Sequence, residues 1–183
     1  MNIVAISGSL RKASNNTALL RAAQKLAPDM HIEILDIGSI PVFNQDLEET
    51  NFPQVVHDLR TKISAADGVL IAVPEFNRTP AGSLKNFLDW SSRPESEPNP
   101  WNGKPVGILG ASSGARGAVL AQFDVRRIMS YWNARTMGQP EFYLGDDAEK
   151  FDAELNLTDE RTIKALQRFM SAFHAHAQSA RGA

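Results

Sequence analysis

The chain has 183 residues, 43% of them hydrophobic and 22% charged, which is enough for one substantial core and too little for two enzyme domains. Nineteen basic residues (19) against 21 acidic ones leave a net charge of -2, which provides no broad field for nucleic acid or an anionic membrane. Cysteine is absent, so disulfides, zinc-thiolate sites, iron–sulfur clusters and thiol nucleophiles are excluded, and any redox chemistry has to come from a bound cofactor.

Met1 to Leu10 lacks the basic start and long apolar run of a signal peptide, and no apolar stretch approaches a bilayer span, so the expectation is a soluble cytoplasmic protein. Ile3, Val4, Ala5 and Ile6 form a short continuous apolar run bounded by turn residues, as in a parallel strand covered on both faces. The period then becomes helical through Leu19, Ala22, Ala23 and Leu26, and Pro28 ends that helix. Residues 31–35 are a weaker strand candidate. Val56, Leu59 and Ile63 stripe a second helix, and residues 69–73 form another continuous apolar strand. Thr79 and Pro80 read as an N-cap and first helical residue ahead of Leu84, Phe87 and Leu88, with Pro94 closing the helix. Residues 106–109 give a further strand. Leu120, Phe123, Arg127 and Ile128 give a less regular helical stripe, and residues 141–144 a weaker strand. Thr158 reads as the cap of a last helix, with Asp159 and Glu160 in its first turn. That helix carries Ile163, Leu166, Phe169, Met170 and Phe173, and residues from Gln178 onward read as a frayed tail.

Strand and helix thus alternate along the chain, the signature of a doubly wound α/β sheet. The proline-rich stretch 92–102 reads as a loop inside the fold, so residues 1–183 are expected to form a single domain. In such a sheet, ligands bind beyond the carboxyl ends of the strands, near the switch in strand order. The loops at those positions are also the unusual stretches of the sequence.

After the first strand comes a hydroxyl- and amide-rich stretch, residues 7–17, with Ser7, Gly8, Ser9, Arg11, Lys12, Ser14, Asn15, Asn16 and Thr17, leading into a helix. Free N–H groups at the helix start, hydroxyl donors and the Arg11 fork suit a terminal phosphate. The stretch matches neither a Walker A loop nor the three-glycine dinucleotide fingerprint; capping alone is the competing explanation. After the third strand come Pro74, Glu75, Phe76, Asn77 and Arg78, where Phe76 is suited to lie against a planar ring and Asn77 to read its polar edge; a tight turn is the alternative. Gly110, Ala111, Ser112, Ser113, Gly114, Ala115, Arg116 and Gly117 follow the fourth strand. Small residues there permit close approach to a flat ligand, or simply make a turn.

Gly8 to Asn16, together with Pro74-Glu75-Phe76-Asn77 and the run Leu84-Lys85-Asn86-Phe87-Leu88-Asp89-Trp90, resembles the NADPH-dependent FMN reductase family, which includes quinone, chromate and azo-dye reductases. Residues 40–48 are similar to that family's loop after the second strand. The resemblance implies a flavodoxin-like five-stranded parallel sheet of order 2-1-3-4-5 with helices on both faces. It puts the FMN phosphate on Ser9, Arg11, Ser14, Asn16 and Thr17, and the isoalloxazine ring beside Pro74, Glu75, Phe76, Asn77, Arg78, Ser112, Ser113 and Gly114. It also implies NADPH or NADH as co-substrate, small-molecule electron acceptors, and a homodimer or homotetramer. No side chain is required as a nucleophile, because flavin N5 carries the hydride. Arg116 is a candidate second positive group near the ring or a nicotinamide phosphate. The chain departs from the family at Ala13 (often Gly), Phe76 (often Tyr), Thr79 (often Ser), and in having Pro80-Ala81 where the proline usually comes one place later. The departures at residues 76–81 bear on acceptor preference rather than on FMN binding. Two other classes remain open: a flavodoxin-like electron carrier without NAD(P)H turnover, and a flavin-free regulatory α/β domain. The charge balance and Arg11 argue against the first, and the phosphate-type loop against the second. The pair His174 and His176 reads as a solvated helix end, and Trp101 as a core residue or a cover for a flavin edge or neighbouring subunit.

Overall fold

The continuous apolar runs become strands because neither face of the sheet they build meets water. In this computed structural model, which describes residues 1–181, β1 (Asn2–Ser7) leads through α1 (Asn15–Leu26) to β2 (His31–Leu35). Two helices, α2 (Gln45–Thr50) and α3 (Gln54–Ala65), precede β3 (Gly68–Ala72). Two short strands, β4 (Glu75–Phe76) and β5 (Thr79–Pro80), come before α4 (Gly82–Ser91). The chain continues through β6 (Pro105–Ala111), α5 (Val119–Tyr131), β7 (Arg135–Thr136) and β8 (Phe142–Leu144) to α6 (Glu160–Arg181).

The main sheet runs β2-β1-β3-β6, and every pair in it is parallel. The fifth position is shared: β7 pairs with the start of β6 and β8 with its end. The expected 2-1-3-4-5 order therefore holds, with a broken last strand. Two side chains of α5 serve the break. Gln122 donates to the Phe142 carbonyl at 3.0 Å and Arg126 to the Met137 carbonyl at 2.8 Å, fastening the backbone on either side of the break to α5.

One face of the sheet packs Ile3, Ala5, Leu70 and Leu109 against Leu19, Leu20, Phe169 and Phe173 of α1 and α6. The other packs Val4, Ile6, Val69, Ile71 and Ile108 against Leu59, Ile63, Leu84, Phe87, Val125 and Met129 of α3, α4 and α5. Among the described residues, no helix is long and apolar enough to cross a membrane.

Several local expectations give way to tertiary context. Thr79 and Pro80 do not start a helix. They form β5, antiparallel to β4, and α4 begins at Gly82 behind Ala81. The cause is the turn: Asn77 and Arg78 both have positive φ, 50 and 65°, the geometry of a two-residue type I′ hairpin. The face of α5 is also rotated from expectation. Ala121, Gln122, Val125 and Met129 are buried, while Leu120 and Phe123 point outward.

The last helix is capped by Asp159, not Thr158. Its carboxylate accepts from the Thr162 N–H at 2.8 Å and from the Thr162 hydroxyl. Helix α6 continues past Gln178 to Arg181. Buried Ala177 and a 2.6 Å contact from His176 Nε2 to the Arg135 carbonyl hold its last turns down; since a carbonyl only accepts, Nε2 carries the proton. Residues 182–183 of the expected tail lie outside the described part. Trp101 is a core residue and covers nothing at the surface: it is fully buried, donates to Ser91 Oγ at 2.9 Å and stacks on Trp132.

Candidate functional site

Three loops meet beyond the carboxyl ends of β1, β3 and β6. The first is drawn tight against its neighbours. Gly8 donates to the Ala72 carbonyl at 2.9 Å, and Ser83 Oγ donates to the Gly8 carbonyl at 2.6 Å. A Cβ at Gly8 would sit 2.6 Å from the Pro74 ring, so only glycine permits this approach. The first loop is thereby fixed to the start of the second.

Inside the first loop the polar side chains divide into two sets. Ser14 caps α1, accepting from the Thr17 N–H at 3.2 Å, and Thr17 Oγ1 donates to Ser7 Oγ at 2.8 Å. Asn16 is turned inward and nearly buried. It donates to the Ala111 carbonyl at 2.9 Å and accepts from the Ala111 N–H at 3.0 Å. The β3–β6 register ends at the pair Ala72 and Leu109, so Ala111 has no strand on that side. The Asn16 amide supplies both missing partners, one through a donor and one through its acceptor oxygen. Toward solvent remain Ser9, Arg11 and Lys12, and the first N–H groups of α1, which a helix cannot pair internally. Beside them lies a concavity of about 280 Å³ lined by Ser7, Ser9, Leu10, Thr17, Asp36 and Gly38.

The second loop is the β4–β5 hairpin. Pro74 is buried beneath it, whereas Phe76 is 63% exposed, an unusual position for an aromatic ring unless a ligand or partner covers it. Thr79 Oγ1 donates to the Phe76 carbonyl at 3.1 Å and closes the turn. The Glu75 carboxylate points away from the open side, accepting from the Ala121 N–H at 3.0 Å.

The third loop carries Ser112 to Arg116, with residues 113–116 exposed. Ser112 Oγ accepts from the Gly114 N–H at 3.2 Å, and the Ser112 N–H reaches the Leu144 carbonyl at 2.9 Å. Gly117 has φ 60°, and a Cβ there would lie 2.6 Å from the Tyr143 carbonyl carbon, so both torsion and space require glycine. Burial, and then the Glu141 carboxylate, push the Tyr143 hydroxyl up to about 12.

The three loops also carry positive charge. Arg11, Lys12, Arg78 and Arg116 all stand on these loops, and none forms an ion pair among the described residues. Four unpaired cations thus stand where a phosphate would bind, while others, among them Arg21 of α1 and Arg161, Lys164 and Arg168 of α6, lie away from it. The surface over the loops is an open shelf. A concavity of about 1230 Å³ lies elsewhere, lined by Phe43, by Lys85 and Asp89 of α4, and by Arg127, Tyr131 and Trp132 at the end of α5. An open shelf with a flanking anion cradle fits a flat ring with a phosphate tail, and fits FMN in particular. Among the described residues no cluster of three or more His, Asp or Glu could hold a metal ion.

Two groups hold these loops in ways the sequence does not show. Ser7, the first residue of the hydroxyl-rich stretch, proves to be an internal brace, its Oγ accepting from Thr17 Oγ1 and from the Ser9 N–H (3.3 Å). Asn86 grips the loop before α2, accepting from the Phe43 N–H at 2.8 Å and donating to the Pro41 carbonyl at 2.9 Å. Its place within the motif of residues 84–90 was the available signal.

Comparison with known proteins agrees with this geometry. The NADPH-dependent FMN reductase family model matches residues 1–149. The chain is 42% identical over 176 residues to a 2-hydroxy-1,4-benzoquinone reductase from a Burkholderia species, covering 96% of this chain and 95% of that one. It is 38% identical over 183 residues to an NAD(P)H-dependent FMN reductase from Pseudomonas aeruginosa, covering 100% and 98%. Among solved structures, the flavoenzyme NAD(P)H:(acceptor) oxidoreductase FerB from Paracoccus denitrificans superposes with TM-score 0.89 at 37% identity, over 97% of each chain.

Proposed function

The chain belongs to the NADPH-dependent FMN reductase family, and from that premise we propose that it acts as a single-domain, cytoplasmic oxidoreductase passing reducing equivalents from NADPH or NADH through FMN to small acceptors such as quinones. The observation that carries this reading is the gathering of unpaired Arg11 and Lys12 at the start of α1, next to the open shelf under exposed Phe76. Bound FMN supplies the chemistry at N5, and the protein's part is positioning and electrostatics.

In this reading Ser9, Arg11 and the N–H groups at the start of α1 hold the phosphate, with Ser14 and Thr17 shaping the loop around it. Arg11 provides a charge-assisted fork. Pro74, Phe76, Asn77 and Arg78 support one side of the ring, and Ser112, Ser113 and Gly114 approach its polar edge. Arg116 and Arg78 provide positive charge where a nicotinamide phosphate enters. Asn16 and Glu75 act from behind, through the loops they hold. The exposed Phe123 and Tyr131 favour a homodimer or homotetramer that covers them. The electron-carrier reading is disfavoured, because the chain's near relatives are named as reductases.

The test is steady-state oxidation of NADPH, and separately of NADH, by FMN-loaded protein with 1,4-benzoquinone as acceptor. Parallel double-reciprocal lines are expected as both substrates are varied. No turnover above the rate of free FMN would reject the enzyme reading.

A further inference from the structure

Helix α5 starts without a cap of its own. The residue before it, Ala118, is left-handed at φ 62° and has no side chain able to accept a hydrogen bond. Helices α1, α2 and α6 are capped from nearby in sequence, by Ser14, Asn44 and Asp159. For α5 the acceptor arrives from 46 residues away: Glu75 Oε2 takes the Ala121 N–H at 3.0 Å. Ala121 is the third residue of the helix, where a capping side chain ordinarily bonds, and a carboxylate there also meets the positive end of the helix dipole.

The same bond matters more to the hairpin than to the helix. Residues 76–79 are exposed and bring no side chain into either core. Beyond the ladder between β4 and β5 and the internal Thr79 bond, the Glu75 carboxylate makes the only hydrogen bond leaving the hairpin among the described residues. The helix it caps continues directly from the loop with Ser112, Ser113 and Gly114. One carboxylate therefore fastens the second site loop to the third.

We propose that Glu75 is a positioning residue: it contacts no ligand, and its capping of α5 holds residues 75–80 and 112–117 as one preformed surface for the FMN ring. The inference rests on the flavin reading above and assigns Glu75 a part that its place in the ring-binding motif does not suggest. A hairpin released from α5 has to be ordered again when ligand binds, and apparent affinity falls by the fraction of molecules in the competent arrangement.

The test measures FMN dissociation constants by quenching of flavin fluorescence, and amide exchange of Ala121 in the flavin-free protein, for wild type, E75A, E75Q and V125A. E75A should weaken FMN binding roughly 5- to 30-fold, the range of a strong side-chain cap converted at a factor of ten per 1.4 kcal/mol, and speed Ala121 exchange. E75Q, whose carbonyl oxygen accepts the same N–H, should restore both to within about threefold of wild type. V125A removes buried apolar volume from α5; it should lower the melting temperature and leave FMN affinity within about twofold. Wild type that binds FMN, with E75A binding equally well or E75Q as weakly as E75A, would overturn the positioning role alone. Wild type that fails to bind would overturn the flavin reading with it.

Discussion

Replacing Asn16 with alanine separates two accounts of the first loop. If Asn16 were a phosphate ligand, as its place in the motif suggests, N16A would weaken FMN binding and leave the flavin-free protein as stable as before. The structure predicts the opposite emphasis. Asn16 makes two hydrogen bonds, of 2.9 and 3.0 Å, to the Ala111 peptide, across 95 residues of sequence. Alanine removes both and strands a buried N–H and C=O at the open side of β6, each costing about 1–3 kcal/mol when unpaired. Some relaxation and water entry offset part of that, so a loss of about 2–4 kcal/mol is expected. At about 2–4 °C per kcal/mol for a chain of this size, the melting temperature of the flavin-free protein should fall by roughly 4–16 °C. Urea and thermal unfolding followed by tryptophan fluorescence would measure it. N16D, which keeps the acceptor but sets a carboxylate against the Ala111 carbonyl, should be at least as destabilising. Flavin-free N16A melting within about 2 °C of wild type, combined with weakened FMN binding, would refute the clasp and return Asn16 to the phosphate.

Three further outcomes follow from the same geometry. R11Q should weaken FMN by about 10- to 100-fold, the worth of a charge-assisted bond, and leave riboflavin affinity unchanged; calorimetric titration with both ligands measures this. G117A should destabilise the protein by about 2–4 kcal/mol, combining the positive φ with a Cβ driven against the Tyr143 backbone, as read by urea unfolding. Bonds from Thr162 hold the Asp159 carboxyl below its ordinary value of 3.8. A depressed carboxylate stabilises the folded state above its unfolded pKa and loses that contribution as pH falls through the folded one. The stability difference between wild type and D159N, followed by chemical denaturation from pH 7 downward, should thus be flat to about pH 4–5 and then shrink.

The middle of the sheet was legible because a strand buried on both faces has to be continuously apolar, as at residues 3–6, 69–73 and 106–109. The three site loops were legible for a related reason: glycine, hydroxyl and cationic residues directly after such strands have no role in the core. The fifth strand was poorly legible because it is split, and Gln122 and Arg126 of α5 hold the backbone around the break. Those polar side chains on an inner face also disguised the buried stripe of α5. Thr79-Pro80 carries a genuine helix-start signal, overridden by a type I′ turn at Asn77-Arg78 that has no glycine to announce it. The bonds of Asn16 to the Ala111 peptide and of Glu75 to the Ala121 N–H were not legible, because sequence shows neither the open side of β6 nor the uncapped start of α5.

The most direct test of the account is the visible spectrum of the purified protein after incubation with FMN and desalting, followed by anaerobic addition of NADPH. Flavin bands that stay with the protein and bleach on addition are the predicted result. Bands that are retained but do not bleach with NADPH or NADH would contradict the reductase reading, and loss of all flavin on desalting, with no NADPH oxidation in excess FMN, would contradict the site itself.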